Sequence, residues 1–127
     1  MMEIVSVFIQ NMPGRLSQIM RELERFAIHG FSISDAGDFG IVQLCVEEPR
    51  AAMERLKQHD LIAHLTPALG IGKGDMNTVI EAFEEAGINI DEAIYAAIID
   101  GEPMAVLKVS DTEHALDVLE STGITYR

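Results

Sequence analysis

The sequence predicts an α+β fold of two similar β-α-β-β-α-β units, in which an antiparallel sheet carries both helices on one face. One observation is that a pattern of apolar residues occurs twice, about 60 positions apart. Another is that apolar residues alternate along some segments and recur every three or four positions along others, as strands and amphipathic helices require. This order of elements is called ferredoxin-like, and we expect its two copies at residues 1–64 and 65–127.

Three pairs of matched segments carry the internal repeat. They are Leu16, Ile19, Met20 and Leu23 with Met76, Val79, Ile80 and Phe83; Gly30-Phe31-Ser32-Ile33 with Gly87-Ile88-Asn89-Ile90; and Val46, Ala52, Met53, Leu56 and Leu61 with Val109, Ala115, Leu116, Leu119 and Ile124. The spacing between the copies changes only between elements, where insertions are tolerated. Because a unit of about 60 residues has little core of its own, we expect a homodimer or a larger assembly.

Each predicted element of the first copy has a local reason. The β-branched and aromatic residues from 3 to 10 favour a strand. Pro13 and Gly14 then favour a turn that opens a helix, which ends at Gly30. The remaining elements are strands at 31–36 and 41–46, a helix that begins at Pro49 and breaks at His59, and a short strand at 61–63.

The second copy is predicted to follow the same order. Its strands lie at 65–71, 88–99, 104–109 and 124–126. Asp75 is expected to cap a helix that ends at Gly87, and Ser110 with Glu113 fits a capping box for a second helix. The whole chain should therefore hold eight strands and four helices.

Composition argues against several classes of function. The net charge of −12, with no local run of Lys or Arg, disfavours nucleic acid and anionic membranes as partners. The first apolar run is too short for a signal peptide or a membrane span, so we expect a cytoplasmic protein. The single cysteine, Cys45, stands in an apolar run and is interpreted as a small buried hydrophobe.

No motif predicts catalysis, a metal or a cofactor. The four histidines form no H-x-H or H-x-x-x-H pair, and one cysteine is too few for a thiolate site. Ser6 and Ser17 have no nearby base that would make them nucleophiles. We therefore expect no catalytic residue, no metal ligand and no cofactor.

The loop from Asn11 to Leu16 has the chemistry of a small-molecule site. It ends at a predicted helix N-terminus, whose unpaired N–H groups favour a carboxylate. Gly14 would let a ligand approach the backbone, and Asn11 can both donate and accept hydrogen bonds, which suits an α-amino acid. The simpler interpretation is a plain turn in which Asn11 bonds locally and Arg15 is solvated.

The same residues resemble a known family. The segments Asn11-Met12-Pro13-Gly14-Arg15-Leu16 and Gly87-Ile88-Asn89-Ile90, within a doubled β-α-β-β-α-β pattern, are similar to the ACT domain, a ligand-sensing module attached to many enzymes of amino-acid metabolism. The chain looks most like tandem ACT proteins that have no catalytic domain. In the second copy Ile71 and Lys73 stand where the first copy has Asn11 and Pro13, so the first loop is the better candidate site.

The resemblance implies a regulatory, non-enzymatic protein that binds a free amino acid or a related carboxylate. An enzyme of amino-acid metabolism or a second copy of the chain would be its partner. The ligand-binding residues expected from the resemblance and the loop chemistry are Asn11, Met12, Pro13, Gly14, Arg15, Leu16, Ser32 and Ile33. Backbone N–H groups at residues 14–16 would hold the carboxylate, Asn11 the ammonium, and Met12 with Ile33 the side chain.

Two alternatives remain open at the level of sequence. A ligand-free dimerisation or interaction module would share the fold. An acylphosphatase-like hydrolase would use Arg15 to grip phosphate, although Pro13 disrupts the required cradle and residues 32–36 contain no asparagine to orient water.

Overall fold

The computed structural model describes all 127 residues, in six strands, four α-helices and one short 3-10 helix. In chain order the elements are β1 (Met2–Gln10), α1 (Arg15–Glu22), β2 (Ile28–Ala36), β3 (Phe39–Val46), α2 (Pro49–Gln58), β4 (Ile62–Gly72), the 3-10 helix (Lys73–Asp75), α3 (Met76–Glu85), β5 (Ile90–Ile99), β6 (Glu102–Val109) and α4 (Thr112–Thr122). The chain forms two compact units, which we call the first unit (Glu3–Thr66) and the second unit (Pro67–Arg127 with Met1–Met2). Strand β4 runs without a break through residues 64–65, so no boundary between elements marks the expected division of the sequence repeat at that point. That division stays a prediction.

In the first unit, both helices cover one face of an antiparallel sheet. Strand β3 pairs antiparallel with β1 on one side and with β2 on the other, and β4 lies beyond β1. Pairing sets Val5 opposite Leu44 and Val7 opposite Val42, so these four side chains share a face. They form one buried cluster with residues of both helices, namely Ile19 and Leu23 of α1 and Ala52 and Leu56 of α2.

The second unit repeats this plan around β6. That strand pairs antiparallel with β4 and with β5. Its buried cluster again joins strand and helix residues, among them Leu69, Ile71, Val79, Phe83, Ala105, Leu107, Ala115 and Leu119. Strand β5 has two shifts of register, and Ala96 in the second shift has φ of 66°, which is a left-handed conformation that strains a residue with a Cβ.

The α+β class, the antiparallel sheets and the placement of the helices are confirmed, but the count of eight strands is wrong. The predicted strands at 61–63 and 65–71 are one continuous strand, because Pro67 fits the extended backbone instead of ending it. The predicted strand at 124–126 is reduced to a single bridge at Tyr126.

The helix caps also differ from the predicted ones. Helix α4 is capped by Asp111, whose Oδ1 accepts a hydrogen bond from the backbone N–H of His114 at 3.1 Å. The hydroxyl of Ser110 instead accepts a bond from the backbone N–H of Asn89 at 3.0 Å. Asp75 precedes α3 as predicted, but its side chain makes no capping bond.

Candidate functional site

The loop between β1 and α1 is anchored to the β2–β3 turn through Asn11. The Asn11 amide donates hydrogen bonds to Asp35 Oδ1 at 2.9 Å and to the carbonyl of Gly37 at 3.1 Å. Its backbone N–H donates to the carbonyl of Asp38 at 2.9 Å. Both amide hydrogens are therefore used inside the chain, and Asn11 Oδ1 remains as an acceptor at the protein surface.

Gly14 sets the start of α1. It is the N-cap, with φ of 94°, and no side chain caps the helix. A Cβ built at Gly14 would meet nothing within 4 Å, so there is open space in front of this residue. Glycine is therefore required here by its backbone angle and not by a close neighbour. The backbone N–H of Arg15 makes one long bond of 3.4 Å to the carbonyl of Met12, whereas those of Leu16 and Ser17 make none. The positive end of α1 thus presents free donors.

Arg15 is held in place by neutral partners. Its guanidinium donates to Gln10 Oε1 at 2.9 Å and to Gln18 Oε1 at 3.3 Å, and it forms no ion pair. It is half-buried, whereas the other arginines of the chain are exposed. Although the protein has a net charge of −12, no carboxylate of the chain pairs with the guanidinium of Arg15.

The remaining predicted residues are not all beside the loop. Met12 is in the loop and is 52% exposed. Ser32 and Ile33 lie on β2, opposite Gln43 and Val42 of β3, and no hydrogen bond joins either of them to the loop. Strand β3 lies between β2 and β1, so Ser32 and Ile33 are separated from β1. The residue of β2 that contacts Asn11 is Asp35, which was not expected from the sequence.

The corresponding loop of the second unit is built differently. Residues 73–75 form a 3-10 helix in place of an open turn. The ammonium of Lys73 lies 4.9 Å from the centre of the Tyr95 ring, in a cation–π contact. The charge of Lys73 therefore has a partner within its own unit, unlike that of Arg15.

A cavity of about 360 Å³ lies beside the first loop, at the ends of β1 and β3 and the beginning of β4. It is lined by Phe8, Ile9, Gln10, Arg15, Phe39, Asp60, Leu61 and Ile62. Apart from Arg15, none of these residues was expected from the sequence to be part of a site. Three of these residues are large apolar side chains near the ends of strands that remain exposed, which is the feature that marks the cavity. They are Phe8, Phe39 and Ile62, at 40%, 54% and 67% exposure.

The chain otherwise offers few reactive groups. Cys45 is 1% exposed, as its apolar context predicted, and burial raises the pKa of its thiol. No three His, Cys, Asp or Glu side chains come close enough together to hold a metal ion. None of the helices is long and apolar enough to cross a membrane.

The chain is a tandem of two ferredoxin-like units, with an open loop before the first helix. The sequence model described as ACT domain pair matches residues 1–126. The chain therefore belongs to the ACT domain pair family, and the resemblance noted in the sequence is confirmed.

Solved structures show the same fold across nearly the whole chain. A protein from Bacteroides thetaiotaomicron is similar with a TM-score of 0.84 and 22% identity, over 98% of this chain and 90% of that one. The ligand-free regulatory subunit of aspartate kinase from Thermus thermophilus is similar with a TM-score of 0.62 and 16% identity, over 95% and 89%. The corresponding subunit from Thermus flavus has a TM-score of 0.57 and 16% identity, over 94% and 90%. No curated protein matches.

Proposed function

We propose that this protein is a regulatory sensor of a free amino acid or a related small carboxylate. The observation that carries the proposal is the first loop, which offers an acceptor on Asn11, unbonded N–H donors at the start of α1, and open space in front of Gly14. An α-amino acid supplies the complementary pair of groups, an ammonium donor and a carboxylate acceptor. Membership of the ACT domain pair family supports a regulatory role and not an enzymatic one.

The groups at the loop suggest how the ligand is held. The ligand carboxylate would accept hydrogen bonds from the backbone N–H groups of Leu16 and Ser17, and from that of Arg15, whose bond within the chain is long. The positive end of the helix dipole favours a carboxylate at this position. Asn11 Oδ1 and the carboxylate of Asp35 are the acceptors for the ammonium. In this arrangement Asn11 acts through its oxygen, because its nitrogen is already bonded.

The response would be passed on through protein contacts. A ligand shifts a conformational equilibrium only by its difference in affinity for the two states, so binding must change how the chain meets a partner. We propose that the partner is a second copy of the chain or an enzyme of amino-acid metabolism. The fold is shared with regulatory subunits of aspartate kinase, which is consistent with such a role.

A thermal-shift screen with a panel of amino acids, followed by calorimetry, tests the proposal. We expect one or more amino acids to raise the melting temperature, and Asn11→Ala to weaken binding by roughly tenfold to a hundredfold, as the loss of a hydrogen bond to a charged group predicts.

Asn89→Ala is the matched control, because the side-chain amide of Asn89 donates a similar exposed hydrogen bond to Asp91 Oδ1 at 2.8 Å in the second unit. If no amino acid bound, the sensor function would be wrong. If binding tolerated Asn11→Ala but was lost on Lys73→Ala, the second loop would be the site.

A further inference from the structure

The cavity beside the first loop combines an apolar wall with one unpaired charge of each sign. Phe8 and Gln10 are two residues apart on β1 and so share a face of the sheet, and Phe39 lies directly opposite Gln10 on β3. Ile62 opens β4, and two residues later the His64 ring lies 6.1 Å from the ring of Phe8. Three exposed apolar side chains from three strands therefore border one concave space.

The positive charge of the cavity is Arg15. Gln10, which also lines the cavity, holds one end of the guanidinium, and Gln18 holds the other. A guanidinium has five N–H donors, and these two bonds use two of them. The other three are free for an anion, and the neutral glutamines fix the position of Arg15 without neutralising its charge.

The negative charge is Asp60, in the turn between α2 and β4. Its backbone is fixed, with φ of 63° and a hydrogen bond from its N–H to the carbonyl of Lys57 at 3.2 Å. Its carboxylate makes no hydrogen bond or ion pair within the chain. A ligand that is only an anion would meet this carboxylate, so the lining favours a ligand that carries both charges.

From these features we propose that the cavity binds an α-amino acid with a large apolar side chain. Arg15 binds the ligand carboxylate, Asp60 binds its ammonium, and the side chain lies against Phe8, Phe39 and Ile62. A volume of about 360 Å³ lies within the range of small-molecule sites. The inference rests on the proposed function, that the protein senses an amino acid. It adds the class of amino acid, one with a large apolar side chain, and places a binding site in the cavity beside the first loop.

Calorimetry with L-phenylalanine, L-alanine and 3-phenylpropionate tests each part of the proposal. We expect L-phenylalanine to bind at least about tenfold more tightly than L-alanine, because its ring removes apolar surface from water. We also expect it to bind more tightly than 3-phenylpropionate, which lacks the ammonium. Asp60→Asn should remove that second preference, and asparagine tolerates the left-handed backbone at this position.

Ile62→Thr and Phe39→Thr should weaken binding of L-phenylalanine by about tenfold and leave L-alanine nearly unaffected. Ile98→Thr is the matched control, since Ile98 is 50% exposed on β5 in the second unit. Without any substitution, the methyl resonance of Ile62 should shift when L-phenylalanine is added, and that of Ile98 should not.

Equal affinities for L-phenylalanine and L-alanine, or indifference to Ile62→Thr and Phe39→Thr, would overturn the cavity as a site. If binding were then lost on Asn11→Ala, the proposed sensor function would still hold at the loop. If binding were lost in the cavity variants and unchanged by Asn11→Ala, the cavity would stand and the loop would be wrong. If no amino acid bound at all, both proposals would fail.

Discussion

Single residues in the first unit determine which polar groups the first loop leaves unbonded. Asn11 was expected to offer both a donor and an acceptor, but its donors are spent on Asp35 and Gly37. Arg15 was expected to be solvated or to bind a ligand, and the two glutamines hold it half-buried with its charge free. Sequence alone identifies the residue types, whereas the direction of an amide or guanidinium depends on neighbours that are distant in the chain.

Cys45 gives a prediction at the residue scale. Burial raises the pKa of its thiol above the ordinary value of 9.0, so thiolate forms more readily in the unfolded chain than in the folded one. The thiol's contribution to the free energy of unfolding is therefore present below pH 9.0 and declines as pH rises above it. Urea denaturation at pH 7 and pH 10 should show a smaller loss of stability for Cys45→Ala than for the natural chain.

Thiol labelling gives an independent check on Cys45. A soluble disulfide reagent should modify it only after denaturant is added, because the side chain is 1% exposed. Rapid labelling of the folded protein would contradict the burial and the pH argument together.

At the scale of elements, periodicity predicted most helices and strands, and turn chemistry predicted their ends less well. The apolar stripe of Leu16 to Leu23 is the buried face of α1, although this helix ends at Glu22, well before Gly30. The strand expected at 88–99 begins at Ile90, and the shift of register between Ile94 and Ala97 holds Ala96 in a left-handed conformation. Local patterns do not reveal such a bulge, because it arises from pairing with β6.

The cap of α4 is the most direct test at this scale. Asp111→Ala removes the side-chain bond to the His114 N–H and should lower the free energy of unfolding by about 1 kcal/mol. Asp75→Ala is the matched control, since Asp75 occupies the equivalent position before α3 without a capping bond. Urea denaturation measures both variants. Equal losses would show that the Asp111 bond contributes nothing specific.

For the whole molecule, the doubled pattern predicted two ferredoxin-like units, because each copy repeats the same order of strand and helix periods. The resemblance to the family also needed the segments 11–16 and 87–90 within that pattern. The candidate cavity could not be predicted in the same way. Phe8, Phe39 and Ile62 are far apart in sequence and meet only through the pairing of β1 with β3 and the return of β4. An exposed aromatic residue at a strand end has no periodic signature that separates it from a core residue.

Assembly is the prediction that belongs to the whole molecule. Strand β2 is at the edge of the sheet, and its pairing with β3 is regular from Gly30 to Ala36, so its other side presents a row of unpaired backbone groups. Phe31 and Ile33 on this strand are 45% and 52% exposed. A regular edge with exposed apolar side chains and no proline is suited to pairing with a second copy. We therefore expect a homodimer or larger, in which Ile33 is at the contact between copies.

Static light scattering at micromolar concentration should give at least twice the 14.0 kDa mass of the chain. Ile33→Lys should shift the protein toward monomer, because a charge on an edge strand opposes pairing between copies. Ile98→Lys, on the equally exposed Ile98 of β5, controls for the added charge. A monomer in the natural sequence would contradict the assembly, and a dimer unaffected by Ile33→Lys would place the contact elsewhere. A ligand that binds one assembly state more tightly must shift the equilibrium toward that state. If an amino acid strengthens the dimer of the natural chain but not that of the Ile33→Lys variant, binding of the amino acid is therefore coupled to pairing at this edge.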